Sequence, residues 1–331
     1  MKAILMNQTG GPDVLQLQDV PTPAISTSTD VLVKLKAAGV NPVDTKIRLG
    51  LYPPKTFPTI PGCDGAGIVE KTGKNVTRFK SGDEVYFFHA GLGTGPGNYA
   101  EYIVLDERFI ARKPATIDFA QAAALPLVFI TAWEALYDRA NMQKGQTILI
   151  HAGAGGVGHI AIQLARAAGA TICTTISSEE KAAFVKKLGA DYAINYKQQN
   201  FVDAVLKWTD GKGVDIAMDN VGGELIQATF PAVKYGGDLV TLLQVPDNID
   251  WTVARMRNLR FSFEIMLAPL ILNLVEAQKH QTWIMEQCTR LVEEKKLTIH
   301  VSEVLPLNEA ALAHQKIETG TTTGKIVLKI E

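Results

Sequence analysis

Cysteine is scarce in this chain. Cys63, Cys173 and Cys288 are the only three, far apart and without a C-x-x-C pair. That excludes a disulfide framework and a structural zinc lobe built from closely spaced thiolates. Histidine is equally uninformative as a metal signal, since none of the six stands in H-x-H or H-E-x-x-H spacing. His151 and His159 flank a glycine cluster and read as turn histidines. Charge of one sign is also missing. A net charge of −1 leaves no electrostatic footprint for nucleic acid or an anionic membrane. No apolar run approaches the ~18 residues of a transmembrane span. The start, Met1-Lys2-Ala3-Ile4-Leu5-Met6-Asn7-Gln8, has too short an apolar part for a signal peptide and reads as a strand, so a cytoplasmic location is expected. What remains is ordinary globular material, 47% hydrophobic and 20% charged over 331 residues, long enough for two domains with sizeable cores.

The pattern changes along the chain. Residues 3–6, 15–19, 31–38, 67–71, 84–88 and 101–105 alternate or are β-rich, and Gly and Pro clusters break them. They predict an all-β domain, a partly open barrel. Asp118 opens a short helix and Pro126 starts another. From 147 to 245 strands (147–151, 171–176, 192–195, 214–219 and 237–243) alternate with helices near 157–168, 178–188, 200–208 and 222–233. This alternation predicts a doubly wound parallel sheet. Residues 246–272 carry no clear period. Residues 274–296 form an amphipathic helix with Cys288 on its apolar face, and Lys325-Ile326-Val327-Leu328-Lys329-Ile330 alternates as a strand. A β-rich start and a final helix and strand suggest that the end of the chain returns to the first domain.

The informative stretch is Gln146-Thr147-Ile148-Leu149-Ile150-His151-Ala152-Gly153-Ala154-Gly155-Gly156-Val157-Gly158. An apolar strand enters a G-x-G-x-x-G turn and a helical pattern follows, the context a dinucleotide site needs. Gly153 permits the sharp turn, Gly155 lets backbone approach a pyrophosphate, and Gly158 lets helix and strand pack closely. The helix's first amides, those of Gly156 and Val157 included, lack internal acceptors and suit a diphosphate.

Further landmarks run nearly end to end: Gly11-Pro12-Asp13-Val14-Leu15, Ala38-Gly39-Val40-Asn41-Pro42-Val43-Asp44, Pro61-Gly62-Cys63-Asp64-Gly65-Ala66-Gly67, Gly82-Asp83-Glu84-Val85, Gly97-Asn98-Tyr99-Ala100-Glu101-Tyr102, Ala122-Ala123-Ala124-Leu125-Pro126, Lys187-Leu188-Gly189-Ala190-Asp191 and Thr323-Gly324-Lys325. In this order they resemble the zinc-independent quinone oxidoreductases (zeta-crystallin-like) of the medium-chain dehydrogenase/reductase superfamily. The resemblance implies an α/β protein: a GroES-like β-rich catalytic domain over 1–124 and 270–331, split around a Rossmann domain over 125–269, with the active site in the cleft. The superfamily's zinc alcohol dehydrogenases carry a cysteine in the segment matching Gly39–Asp44 and a histidine in Gly-His-Glu. Here those places hold Val40-Asn41-Pro42 and Gly62-Cys63-Asp64, so no zinc is expected. Without a Lewis acid, reduction of an activated acceptor is easier than alcohol oxidation.

An NAD site places a carboxylate at the end of the second strand, ~20 residues after the first glycine. Here that region reads Thr174-Thr175-Ile176-Ser177-Ser178, with Lys181 a turn later. Hydroxyls and a cation suit a 2′-phosphate, so NADPH is favoured over NADH. The resemblance places Ser177, Ser178, Lys181 and Tyr196 at that phosphate. Ser177-x-x-Glu180 is equally a capping box, and Lys181 equally a solvated helix residue. By resemblance Asn41 and Thr131 lie beside the nicotinamide and its ribose, Asn220 near the adenosine, the backbone of Leu242, Leu243 and Gln244 at the carboxamide, and Lys325 at the pyrophosphate.

The expected reaction is hydride transfer from NADPH to a quinone, where water delivers the proton. The alternatives are reduction of α,β-unsaturated carbonyls, or a non-catalytic NADPH-binding protein of the same fold. For an enone, Tyr52 is the one local acid, open between that role and a pocket wall; with Asn41 it is the candidate for substrate positioning. Asp44 reads as a backbone or Asn41 partner. Ile47, Phe88, Phe129, Phe263 and the glycine-rich loop 91–97, lid or surface turn, are candidate pocket walls. The strand 237–243 is expected at the sheet edge, and by resemblance such an edge pairs across a two-fold axis into a homodimer.

Overall fold

Glycine and proline punctuation sets the strand boundaries of the first part of the chain, as the computed structural model shows for residues 1–331 apart from Leu92 and Thr94. The strands in chain order are β1 (Lys2–Met6), β2 (Leu15–Asp19), β3 (Asp30–Val40), β4 (Asp64–Thr72), β5 (Glu84–Phe88), β6 (Tyr102–Asp106), β7 (Ala111–Arg112), β8 (Thr147–Ile150), β9 (Thr171–Ile176), β10 (Tyr192–Asn195), β11 (Val214–Asp219), β12 (Val233–Thr241), β13 (Arg260–Phe263), β14 (Val301–Pro306) and β15 (Lys325–Lys329). The chain divides into two units, one of Met1–Ile130 with Leu267–Glu331, the other Thr131–Met266.

The first unit is β-rich. Its main sheet runs β14-β15-β3-β4-β5-β7, with β6 also on β3, and β1 and β2 form a separate antiparallel pair. The C-terminal strand returns as expected: β15 pairs antiparallel with β3, Ile326 opposite Val40 and Lys329 opposite Ala37. Alternation buries one face, so Ile4, Val33, Leu35, Val69, Val85, Ile103 and Leu328 share one core. The helix Val275–Glu293 packs in this unit with Cys288 fully buried, as its apolar stripe predicts.

The second unit is a parallel sheet in the order β10-β9-β8-β11-β12-β13. Counted from β8 this is the 3-2-1-4-5-6 order of dinucleotide-binding sheets, and the order reverses between β8 and β11. Helices Gly156–Ala167, Glu179–Lys187, Phe201–Trp208 and Glu224–Thr229 connect the strands. The expectation that 237–243 forms the edge is corrected. β13 lies outside β12, Asp238 opposite Arg260 and Thr241 opposite Phe263. Four residues, Arg260-Phe261-Ser262-Phe263, are too few to register as a period in the sequence.

Candidate active site

The second unit's glycine turn sits at the switch point, directly after β8. Two of its glycines are demanded by the chain's own packing. A Cβ on Gly153 would lie 2.0 Å from Thr174 Oγ1, and one on Gly158 would lie 2.4 Å from the Ala152 carbonyl oxygen. Gly155 differs: its backbone is extended (φ −77°, ψ 179°) and its Cβ would meet nothing nearer than 3.3 Å. Nothing in the fold requires glycine there, and a Ser or Asp would cap the helix better. Glycine at that point leaves the helix Gly156–Ala167 without a side-chain cap. Its first amides and the positive end of its dipole are then open to an anion from outside the chain. This is the cradle a diphosphate fits.

The surrounding polar groups hold the turn. His151 is buried, with Nδ1 3.2 Å from Thr175 Oγ1 and Nε2 3.0 Å from Thr229 Oγ1. Burial pushes its pKa down to about 4, so it stays neutral and structural. His159 is buried too, Nδ1 2.9 Å from the Gly155 carbonyl oxygen. Both are interior residues. Asn220 donates from Nδ2 to the His151 carbonyl at 2.7 Å, while its buried Oδ1 has no partner among the described residues. Asp219 accepts from Thr241 Oγ1 and from the Val221 and Gly222 amides, closing the turn after β11. Leu242, Leu243 and Gln244 follow β12. The Leu242 amide donates to the Asp219 carbonyl (3.1 Å) and the Leu243 amide to Thr241 Oγ1 (3.2 Å).

At the carboxyl end of β9 the chain continues into Ser177 and Ser178 with no carboxylate at the strand end. Tyr196 is brought beside it: its amide donates to the Ile176 carbonyl at 3.2 Å, and the residue is 54% exposed. Ser178, rather than Ser177, caps the next helix, accepting from the Lys181 amide at 3.3 Å. The capping box read at Ser177-x-x-Glu180 does not form; Ser178 is a simple N-cap, because Lys181 at the third position has no acceptor to return the bond, and the Ser177 side chain lies outside the cap.

In the first unit Asn41 and Lys325 come together in a buried polar cluster that sequence reasoning did not assemble. Lys325 Nζ donates to the Val40 carbonyl (2.9 Å) and to Asn41 Oδ1, and stands 3.8 Å from Asp64 Oδ2. Asn41 Nδ2 donates to Asp64 Oδ2 at 2.9 Å, and the Asn41 amide donates to Asp44 Oδ2 at 2.9 Å. Asp44 thus partners Asn41's backbone, in line with its reading. Cys63 Sγ lies 3.3 Å from Asp44 Oδ1, and the Tyr99 hydroxyl is 3.3 Å from Asp44 Oδ2 and 3.2 Å from His314 Nε2. Burial raises the Asp44 carboxyl to about 6 and Asp64 to about 7, against the pull of Lys325, whose own pKa burial lowers. The Cys63 thiol is pushed well up by burial and by the two carboxylates. In this buried setting the Cys63 thiol is held protonated. Among the described residues no group of three or more His, Cys, Asp and Glu side chains is placed to hold a metal. The landmark Pro61-Gly62-Cys63-Asp64 was the available signal, but nothing in its spacing pairs Asp64 with Lys325.

The candidate walls separate. Tyr52 and Phe263 are about half exposed, at 52% and 49%, whereas Ile47 and Phe129 are buried. Thr131 is almost fully buried. Phe88 lines, with Phe109, Gln281 and Met285, a first-unit cavity of about 20 Å³, room for one water. In the loop 91–97, Leu92 and Thr94 lie outside the described residues; Gly91 and Gly97 pack on the 61–62 backbone, where a Cβ would approach within 2.3 and 2.4 Å.

A GroES-like β-unit and a switch-point glycine turn on a parallel sheet define an oxidoreductase of the dehydrogenase type. The Alcohol dehydrogenase GroES-like domain family matches residues 27–115 and the Zinc-binding dehydrogenase family residues 188–328. The Pseudomonas aeruginosa quinone oxidoreductase is 35% identical over 328 residues, 99% of this chain and 99% of its own. The Solanum lycopersicum 2-methylene-furan-3-one reductase is 43% identical over 251 residues, 73% of this chain and 62% of its own. Among solved structures, the Escherichia coli quinone oxidoreductase complexed with NADPH has a TM-score of 0.89 at 29% identity, covering 100% of each chain. This chain belongs to the quinone oxidoreductase family of the medium-chain dehydrogenase/reductase superfamily.

Proposed function

We propose that the protein is a zinc-independent, cytoplasmic NADPH:quinone oxidoreductase. The observation that carries the reading is the uncapped helix start at Gly155, together with a second-strand end that presents Ser177 and Ser178 in place of a carboxylate. When bound, the reduced nicotinamide supplies the hydride, and the protein supplies binding, orientation and exclusion of water. The amides of the helix Gly156–Ala167 meet the pyrophosphate. Ser177 and Lys181 hold the 2′-phosphate by charge-assisted hydrogen bonds, and Tyr196 packs beside it. Asn220 offers its unpartnered Oδ1 to the nucleoside. Tyr52, exposed on the first unit, is the group that can meet the acceptor.

A quinone that accepts hydride becomes a stabilised phenolate-like anion, so no buried general acid is required. The likeness to an enone reductase supports a second reading, reduction of α,β-unsaturated carbonyls, in which Tyr52 would donate a proton near the α-carbon. The deciding experiment is an acceptor screen comparing 1,4-naphthoquinone with a 2-alkenal, using NADPH and NADH in parallel, with and without a chelator. Chelator-insensitive NADPH oxidation, faster with the quinone, is expected. Activity that needs added zinc, or none on any acceptor, refutes it. The outward edge of β13 is the pairing surface of a homodimer in this reading, and light scattering tests that.

A further inference from the structure

Asp64, at the start of β4, accepts from two donors and faces the Lys325 ammonium with one carboxylate, joining three parts of the first unit. Oδ1 accepts the Leu127 amide at 2.9 Å, Oδ2 accepts Asn41 Nδ2 at 2.9 Å, and Lys325 Nζ stands 3.8 Å from Oδ2. The residue has no exposed surface.

Leu127 is the second residue of the helix Pro126–Trp133. Pro126 has no N–H, so Leu127 carries the first of the amide donors that a helix start leaves without an internal acceptor. A negative charge there also suits the helix dipole. The other oxygen settles the orientation of Asn41. Lys325 has donors only, so it requires Asn41 Oδ1, and that turns Asn41 Nδ2 to Asp64 Oδ2. The amide is held between Lys325 and Asp64 and cannot flip without losing both bonds. The other groups facing this clamp are Asp44, Cys63 and, through Asp44, Tyr99.

We propose that Asp64 is a positioning residue for the nicotinamide end of the cofactor: its carboxylate fixes the start of the helix Pro126–Trp133 and the amide of Asn41, the residue that the resemblance places beside the nicotinamide. This rests on the NADPH reading above and adds a residue that touches neither cofactor nor substrate. Asp64→Asn keeps the shape but offers one oxygen to two donors, and its amide then faces an N–H.

The test separates the two ends of the cofactor. Dissociation constants for NADPH and for adenosine 2′,5′-bisphosphate, which lacks the nicotinamide, are measured by titration calorimetry on wild type, Asp64→Asn and Asp64→Glu. Steady-state KM and kcat with 1,4-naphthoquinone accompany them. The expected result is about tenfold weaker NADPH binding in Asp64→Asn with a matching rise in KM, while adenosine 2′,5′-bisphosphate binds within about twofold of wild type. Asp64→Glu keeps the charge but moves it by one methylene; it gives a smaller split of the same kind and serves if Asp64→Asn does not fold. Equal weakening of both ligands, or no change in NADPH binding, overturns the proposal alone. Wild-type protein that binds neither ligand overturns the NADPH reading and this proposal with it.

Discussion

Replacing Gly155 with serine should move stability and cofactor binding in opposite directions. The Gly155 backbone is extended, so serine adopts it without strain, and its Cβ would meet only the Ala152 carbonyl oxygen, at 3.3 Å. That contact is tight by a few tenths of an ångström at most. Against it stands a new N-cap: a serine hydroxyl can accept from the amide two or three residues on, whereas glycine gives no side-chain bond, a difference of a few tenths of a kcal/mol. The melting temperature of the cofactor-free protein should therefore stay within about 2 °C of wild type or rise. The same hydroxyl stands where the pyrophosphate must approach and ties up an amide that would hold it. In wild type, NADPH at 100 times its Kd stabilises by about 2.7 kcal/mol, which for a unit of this size is roughly 5–10 °C. A tenfold loss of affinity reduces this to about 1.4 kcal/mol at the same ligand concentration. The assay is thermal unfolding with and without NADPH, and the expected result is an unchanged baseline with a ligand-induced shift cut to half or less. Gly158→Ala is the contrast, because its Cβ would lie 2.4 Å from one backbone atom and 2.7 Å from another. It should cost about 1–3 kcal/mol before any ligand is added. A Gly155→Ser protein with the full NADPH shift would refute the placement of the diphosphate on this helix; one that melts like Gly158→Ala would refute the packing argument.

Lys181→Glu should raise the KM for NADPH at least tenfold and leave that for NADH within about threefold, since only the former carries the charge a glutamate repels; equal changes in steady-state assays would remove Lys181 from the 2′-phosphate site. Burial holds Asp44 at about 6 in the folded protein against an ordinary 3.8. The native state then binds the proton more tightly, so this group favours folding below pH 3.8 and loses that contribution as the pH rises to 6. Asp44→Asn should make unfolding free energy from urea titrations climb more steeply, or fall less, between pH 4 and 6 than in wild type; parallel curves would contradict the burial argument. The Glu264 amide donates inward to Thr241, so the Phe263 amide, one residue earlier, points to the open edge. Phe263→Pro should leave the internal ladder intact and give a monomer by light scattering, and a retained dimer would move the interface elsewhere.

Where the sequence was legible, the physics was local. β8, the glycine turn and the helix after it follow from an apolar run, a backbone that tolerates no Cβ at two points, and a 3.6-residue period. The return of β15 to β3 could be anticipated because an alternating strand at the end of an α/β chain must find a sheet. Edge elements were harder. β13 has four residues, and β14 alternates but buries only Leu305 and ends on Pro306, so neither has a strong burial pattern. The first-unit cluster was illegible for a different reason. Asp64, Asn41 and Lys325 meet only because β3, β4 and β15 are neighbours in one sheet, and side-chain type gives no hint of which distant polar residue is the partner.

The cluster also bears on the metal question more directly than any missing motif. Asp44, Asp64 and Cys63 come close in one buried cluster, although among the described residues no three such side chains are placed to hold a metal, and the zinc-binding dehydrogenase family matches residues 188–328, outside all three. The chain instead supplies its own cation. Lys325 is almost fully buried, its ammonium bonded to Val40 and Asn41 and facing Asp64. Two carboxylates and one ammonium in a desolvated site leave a single uncompensated negative charge, and the raised Asp44 and Asp64 values say that a proton competes for it near neutral pH. A divalent ion would have to displace both that proton and Lys325, which cannot leave without breaking the Asn41 clamp. The same lysine that ties β15 to β3 is expected to oppose zinc. Substituting it by methionine should both loosen the first unit and raise its affinity for zinc, measurable as a metal-induced rise in melting temperature absent from wild type. If wild type and Lys325→Met respond to zinc alike, the ammonium is not what keeps metal out.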